Sequence, residues 1–335
     1  MSRFIKPPLT PQEQLALLQS RGLHIQDPER ALRLLEVTTL FRLSPYMRPF
    51  QYPDSSEHHF RPGAQLNEIV RFYEFDSQLR QLVMAAIERV EVAIRATVSN
   101  WMAPKYGAHW YMEAGHFNSS YDHSKLLKTI RDKLNSERQK FEPECRAIQK
   151  SHASAEIRSA RIEARKCDNY PRFYAETYIE PALPPSWSMV EELSLGEISH
   201  LFKGLSQDKD RKGIAKRFGI HQKVLRTWLH TLTFVRNICA HHARLWNRGL
   251  GVPPRWDDRV PTPDGRSSRD VPRRFFTVVF ILVVLSDRLS PGTEFSARLK
   301  QLTADHPDIP RQPMGFPGDW EGRLDTLARF TGQKA

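Results

Sequence analysis

At 335 residues the chain is long enough to bury a real core, as two small domains or one large one. Fifty Lys and Arg against 38 Asp and Glu give a net charge of +12, which points to a polyanion partner, nucleic acid first among them. Cys145, Cys167 and Cys239 are odd in number and far apart, which excludes a disulfide framework and fits reduced thiols in a cytoplasmic protein.

The first ten residues, MSRFIKPPLT, lack the apolar centre of a signal peptide. Thr10-Pro11-Gln12-Glu13 reads as a capping box with proline at the first helical position, and Arg21-Gly22 as its stop. Asp27-Pro28 opens a second helix through Leu32, Leu34 and Leu35. Residues 41–60, with three prolines and several aromatics, read as an ordered loop. Asp76 then caps a long helix reaching about Met102, in which Leu79, Val83, Ile87, Val90, Ile94 and Trp101 keep helical spacing. Phe72, Tyr73 and Phe75 are expected to pack against it. Glu88, Glu91 and Arg95 lie off that stripe. Glu91 and Arg95 make an i,i+4 pair with two readings: a surface ion pair worth little, or a carboxylate orienting an arginine of a site.

Tyr106, Trp110 and Tyr111 can stack on bases or pack in a core. The stretch 121–166 is helical and charged, with thirteen Lys and Arg between Tyr121 and Arg172. Few large apolar residues fall between Pro143 and Lys166, which suits a projecting arm, RNA-gripping or merely solvated. Leu183-Pro184-Pro185-Ser186 breaks the chain before a helix from Trp187 to about Gly204. A basic helical segment, 206–220, ends at Phe218-Gly219. Between Leu201 and Arg274 there are seventeen Lys and Arg against six Asp and Glu, a surplus of eleven that is nearly the whole excess.

From His221 a helix is expected through Arg248, and 233–248 reads TFVRNICAHHARLWNR. At about 100° per residue, Val224, Trp228, Leu232, Val235, Cys239 and Trp246 share one apolar arc. Asn237, His241, Arg244 and Arg248 share another, Arg236 lies between, and His242 sits at the apolar edge. Such a helix buries one side and presents an imidazole among cations on the other, a candidate site for a phosphodiester. Residues 249–272 hold five prolines and mark a boundary. Three helices are expected after it, near 272–290, 293–304 and 319–330. Residues 275–285 are the longest apolar run, far short of the ~20 residues of a membrane span, and read as a buried helix with no membrane association. No stretch alternates as a strand, so the chain reads as all-α. Its expected parts are an N-terminal helical region (1–70), a helical domain (71–248) with a charged insertion near 121–170, and a C-terminal helical extension (249–335).

The chemistry follows from residue type. RNA carries its own nucleophile, the 2′-hydroxyl, so cleavage needs a base, positive charge on the phosphorane and an acid for the leaving 5′-oxygen. Histidine titrates near neutrality, and arginine contacts phosphate oxygens bidentately. Arg236 with His241 or His242 supplies both, with Asn237 to orient the imidazole or bind phosphate. Arg244, Arg248, Lys216, Arg217, Lys223 and Arg226 are RNA-binding candidates, and Glu88, Glu91 and Arg95 supporting ones. This chemistry requires neither metal nor cofactor. One histidine cannot easily serve both sides of a phosphate, which favours a homodimer with a composite site.

The spacing Arg236-Asn237-x-x-x-His241 resembles the Rx4–6H motif of HEPN ribonucleases. RNICAHHARLWNR, together with EQLALLQSRGL, YEFDSQLRQLVMAAIERVEVAIR and LPPSWSMVEELSLGEISHLF, resembles the Abi-like (AbiD/AbiF) abortive-infection family over roughly Lys6 to Arg248. That resemblance implies a HEPN-like helical bundle, RNA cleavage, a role in antiphage defence and, as in some relatives, association with a small noncoding RNA. It assigns the motif roles to Arg236 and His241, with Asn237 as polar neighbour, and His242 also fits the spacing. Two other readings stand beside it. One is a non-catalytic protein holding a structured noncoding RNA. The other is a DNA-binding regulator, suggested by a faint helix-turn-helix at Lys216–Trp228. A metal site of Cys239, His241 and His242 is disfavoured because the three point in different directions.

Overall fold

The computed structural model of the protein describes residues 7–269, 271–289 and 294–332. The readings that fall on residues 1–6 and on the helix ends at 290 and 293 lie outside the described residues. In chain order the first seven helices are α1 (Pro11–Ser20), α2 (Pro28–Thr38), α3 (Leu40–Met47), α4 (Leu66–Tyr106), α5 (His123–Gln149), α6 (Ala155–Cys167) and α7 (Tyr170–Thr177). The rest are α8 (Ser186–Met189), α9 (Leu195–Gly204), α10 (Asp208–Arg217), α11 (Gln222–Ala240), α12 (Phe275–Leu289), α13 (Phe295–Asp305) and α14 (Trp320–Gly332). Among the described residues extended chain pairs only in isolated bridges, so the fold is all-α. None of these helices is long and apolar enough to cross a membrane. The chain forms two compact units. One comprises Met1–Met84, Ile238–Arg248 and Glu294–Met314; the other comprises Ala85–Asn237, Gly249–Thr293 and Gly315–Ala335.

In the first unit, α1 and α2 start where their caps predict. Thr10 and Glu13 form the reciprocal capping box, Gly22 takes φ 87° at the stop, and Asp27 caps α2. Residues 41–60 are not all loop, because α3 occupies their first part. Thr39 reverses the chain between α2 and α3 at φ 64° and ψ 147° while its hydroxyl accepts the Arg42 N–H. That backbone region suits glycine and costs on the order of 1–3 kcal/mol here. Pro45 lies inside α3, where it cannot bond the Phe41 carbonyl; the Ser44 hydroxyl donates to that carbonyl instead, at 2.8 Å.

Asp76 is not a helix cap. α4 begins ten residues earlier, and Phe72, Tyr73 and Phe75 belong to it. Asp76 is fully buried within α4, and its carboxylate accepts from the Tyr46 hydroxyl at 2.5 Å and from the Arg80 guanidinium. It also accepts the backbone N–H groups of Leu245 at 3.1 Å and Trp246 at 2.6 Å. Burial pushes the Asp76 pKa up, while the Tyr46 hydrogen bond, the Arg80 charge and the two peptide N–H groups pull it back.

The second unit takes the rest of α4, whose Ile87, Val90 and Ile94 are fully buried, whereas Trp101 is half-exposed and donates to Asp210 at 3.0 Å. The charged insertion is a three-helix cluster, α5 and α7 packed together with α6 against both. No α6 side chain is buried, so its sparse apolar content does mark a solvated element. The centre of the cluster is Arg172, buried and paired with Glu144 at 3.2 Å and Glu137 at 3.3 Å. The helix expected from Trp187 to Gly204 is broken at Leu193-Ser194, where a second capping box of Ser194 and Glu197 starts α9. Residues 275–285 are the buried core of α12, which packs on α14. The proline-rich stretch after Gly249 is fastened to α11. The Trp228 indole donates to the Arg255 carbonyl at 2.7 Å, and Asp257 accepts the His221 N–H at 3.0 Å just before α11 begins.

Asp76→Ala strands a buried guanidinium, a phenol and two peptide N–H groups, and is expected to lower unfolding free energy by about 3–5 kcal/mol in a denaturant titration. Asp257 has its pKa drawn from 3.8 to about 2, first by hydrogen bonding from Arg259, then by the His221 and Arg259 N–H groups, against burial. A depressed folded pKa gives stability that is present above about pH 4 and lost as pH falls toward 2. Melting temperature should therefore drop more steeply across that window in the parent than in Asp257→Asn; parallel curves would refute the coupling.

Candidate functional site

α11 is a core helix almost to its end. Val224, Leu225, Trp228, Leu229, Leu232, Val235, Ile238 and Cys239 are buried, each worth about 1.5–3 kcal/mol of apolar burial when large. This leaves little of its surface for a DNA groove, against the helix-turn-helix reading. Burial also pushes the Cys239 thiol up to about 12, far from a reactive thiolate or metal ligand.

The helix stops at Ala240, eight residues before the expected end. The His242 N–H bonds the Cys239 carbonyl at 3.0 Å, and the Ala243 N–H bonds the Ile238 carbonyl at 2.9 Å. With His242 at φ 53°, this is a Schellman ending in which histidine stands where glycine is usual. His241 is the last half-helical residue, and the chain then turns away. Arg244, Trp246 and Arg248 therefore do not continue the helical wheel. Trp246 is buried all the same: its ring meets Phe72 edge-on at 4.9 Å, and the Asp76 carboxylate holds its N–H.

Arg236 and Asn237 are on the last turn of α11, Asn237 exposed and Arg236 half-exposed. The Arg236 Nε lies 4.0 Å from a Glu91 carboxylate oxygen, and Glu91 also pairs with Arg95 at 2.6 Å. Arg95 in turn donates to the Leu193 carbonyl at 2.6 Å and approaches Glu191 at 3.4 Å. Glu91 is only 9% exposed, so the Glu91–Arg95 pair is not a solvated surface bridge. It is an anchored carboxylate facing Arg236. Glu88 is exposed and takes no part in these pairs.

His241 and His242 are exposed and line a cavity of about 740 Å³ in the first unit, together with Arg244 and Arg248. Sequence reasoning missed its other wall, which is Phe41, Arg42, Tyr46 and Arg48 from α3 and the residue after it. No spacing signal links residues two hundred positions apart. Arg42 donates to the His242 carbonyl at 2.8 Å. Arg244 is half-buried, and burial, with the Arg248 and Arg48 charges, pulls its pKa down while Asp76 and Tyr46 push it up. The lining includes no carboxylate, so the cavity favours an anion.

The remaining candidates lie elsewhere. Lys216 and Arg217, exposed at the end of α10, line a cavity of about 600 Å³ in the second unit with Trp101 and Arg288. Gly213 allows the Trp101 ring to lie against α10, since a Cβ there would come within 1.8 Å of it. Lys223 is exposed and Arg226 half-buried near the start of α11, and they line neither cavity. Trp110 and Tyr111 are buried core residues, not stacking platforms, and the Tyr106 hydroxyl is committed to Asp210 at 2.9 Å. Among the described residues no three His, Cys, Asp or Glu side chains are grouped to hold a metal ion.

No curated protein and no solved structure matches the chain. A family model described as Abi-like protein matches residues 33–247, from within α2 through the Arg236–His242 segment. Its association is with abortive infection, a defence against bacteriophage. The chain belongs to the Abi-like protein family.

Proposed function

We propose that the protein is a metal-independent RNA endonuclease of the HEPN type, acting in abortive infection. The observation that carries this reading is the end of α11. The last turn of an otherwise largely buried helix presents Arg236 and Asn237, and the turn that follows it presents His241 and His242. All four lie within seven residues, with Glu91 behind the arginine.

In the proposed reaction an imidazole takes the proton of the 2′-hydroxyl. The oxygen attacks the adjacent phosphorus, the bond from phosphorus to the 5′-oxygen breaks, and a second acid protonates that leaving oxygen. Arg236 carries the phosphorane charge, with Asn237 beside it as a hydrogen-bonding neighbour. The products are a 2′,3′-cyclic phosphate and a 5′-hydroxyl. The substrate supplies the nucleophile, so the chemistry needs no metal-bound water. Base and acid on opposite sides of the phosphate favour a homodimer that pools two copies of the motif. Such an enzyme is toxic when unrestrained, and a bound small noncoding RNA is the proposed restraint. A cytoplasmic location fits both RNAs.

The test is cleavage of end-labelled single-stranded RNA by the full chain, stripped of nucleic acid, with EDTA present. The parent should cut and leave cyclic-phosphate ends, and Arg236→Ala and His241→Ala should each abolish cutting. Glu91→Gln, which weakens the anchor without touching the phosphate, should lower kcat by about tenfold to a hundredfold. Unimpaired cutting by an Arg236→Ala, His241→Ala, His242→Ala chain would sink the site assignment. A stripped parent that binds RNA and never cuts it would leave an RNA-binding protein in place of a nuclease.

A further inference from the structure

The cavity beside His241 has a wall that the cleavage chemistry does not call for. Arg48 is exposed just beyond α3 and lines the same cavity as Arg244, and no carboxylate lines the space. Guanidinium groups that line one space without a carboxylate attract an anion into it. Phe41, on the first turn of α3, lines the same cavity and is 88% exposed. Its position is fixed from both sides: Thr39 turns the chain sharply just before it, and Arg42 ties the next residue to the His242 carbonyl at 2.8 Å. A bare aromatic ring on the wall of a cavity that Arg48 and Arg244 also line offers a face for a flat, apolar group attached to an anion.

We infer that Phe41 and Arg48 form the strand-binding subsite of this cavity, with Arg48 and Arg244 taking a phosphate next to the one cut and Phe41 stacking the adjoining base. The ligand is single-stranded RNA: the cleavage reading supplies the RNA, and the bases inside a duplex have their faces already covered by stacked neighbours. Arg42 fastens this wall to the turn that carries the two histidines. The subsite rests on the RNA-cleavage reading for its place in a reaction, but binding to it can be measured without cleavage.

The probe is a short, dye-labelled, single-stranded oligonucleotide with every 2′-hydroxyl methylated, so that it cannot be cut, followed by fluorescence anisotropy with the full chain. Phe41→Ala should weaken binding by about tenfold or more with an unchanged salt slope, and Phe41→Tyr should restore it. Arg48→Ala should reduce the slope of log affinity against log salt by about 0.7. Both side chains are exposed, so the variants should melt like the parent. A duplex of the same sequence should not respond to Phe41→Ala. Affinity unchanged in both alanine variants overturns the subsite. So does a Phe41→Ala chain that binds RNA normally but changes its oligomeric state, which would make the ring a contact between copies. A parent that shows the expected pattern yet cuts no unmodified RNA leaves the subsite standing and removes the cleavage reading.

Discussion

One buried carboxylate holds together the part of the molecule that carries the histidines. Asp76 accepts from a phenol on α3, a guanidinium on its own helix and two peptide N–H groups beyond α11. A carboxylate taken out of water needs such partners, because an unpaired one would cost far more than the fold can supply. It also sets geometry. The chain leaves α11 through the left-handed turn at His242 and is caught three and four residues later by Asp76, so the exposed segment between is short and fixed at both ends. The same carboxylate orients α3 through Tyr46, and α3 supplies the other side of the cavity.

Much of the architecture is legible in the sequence, and the places where it is not have particular causes. The body of α11 is plain because Val224, Trp228, Leu232 and Val235 recur at helical spacing and all are buried. Its end is hidden because the left-handed residue is His242, where a glycine would have announced it. Asp76 ahead of an apolar run has the appearance of a helix cap, and only the fold reveals that it caps a loop 169 residues away. Pro45 argues against helix until the Ser44 hydroxyl is seen occupying the Phe41 carbonyl. In the candidate site, Arg236, His241 and Glu91 could be picked out by residue type and spacing. Phe41, Arg42 and Arg48 could not, since nothing local relates α3 to the turn after α11.

The many arginines divide by their company. Arg172 and Arg95 are ringed by carboxylates and carbonyls and serve as internal fasteners. Arg244, by contrast, is half-buried with its nearest charged influences split between like-charged arginines and Asp76, which is already saturated with donors. A cation whose charge is spent inside the protein contributes to the fold. One held among other cations on an open cavity is poised for an outside anion. The excess of basic residues between Leu201 and Arg274 counts both kinds, with Arg259 paired to Asp257 and Lys212 to Asp208 beside the cavity-lining Arg244.

The insertion leaves a different kind of mark. α6 buries no side chain, and what secures it is ionic and polar: Arg165 to Glu144 at 3.4 Å, and the Arg165 carbonyl to Arg172 at 2.9 Å. Detaching such a helix exposes little apolar surface, so its opening should be nearly insensitive to urea, unlike the unfolding of the core. In hydrogen exchange the α6 amides would form their own foldon, flat across denaturant concentrations where the α4 and α11 amides slope steeply. The opening of α6 would be felt by the rest mainly through Arg172, which would lose the Arg165 carbonyl while keeping Glu137 and Glu144.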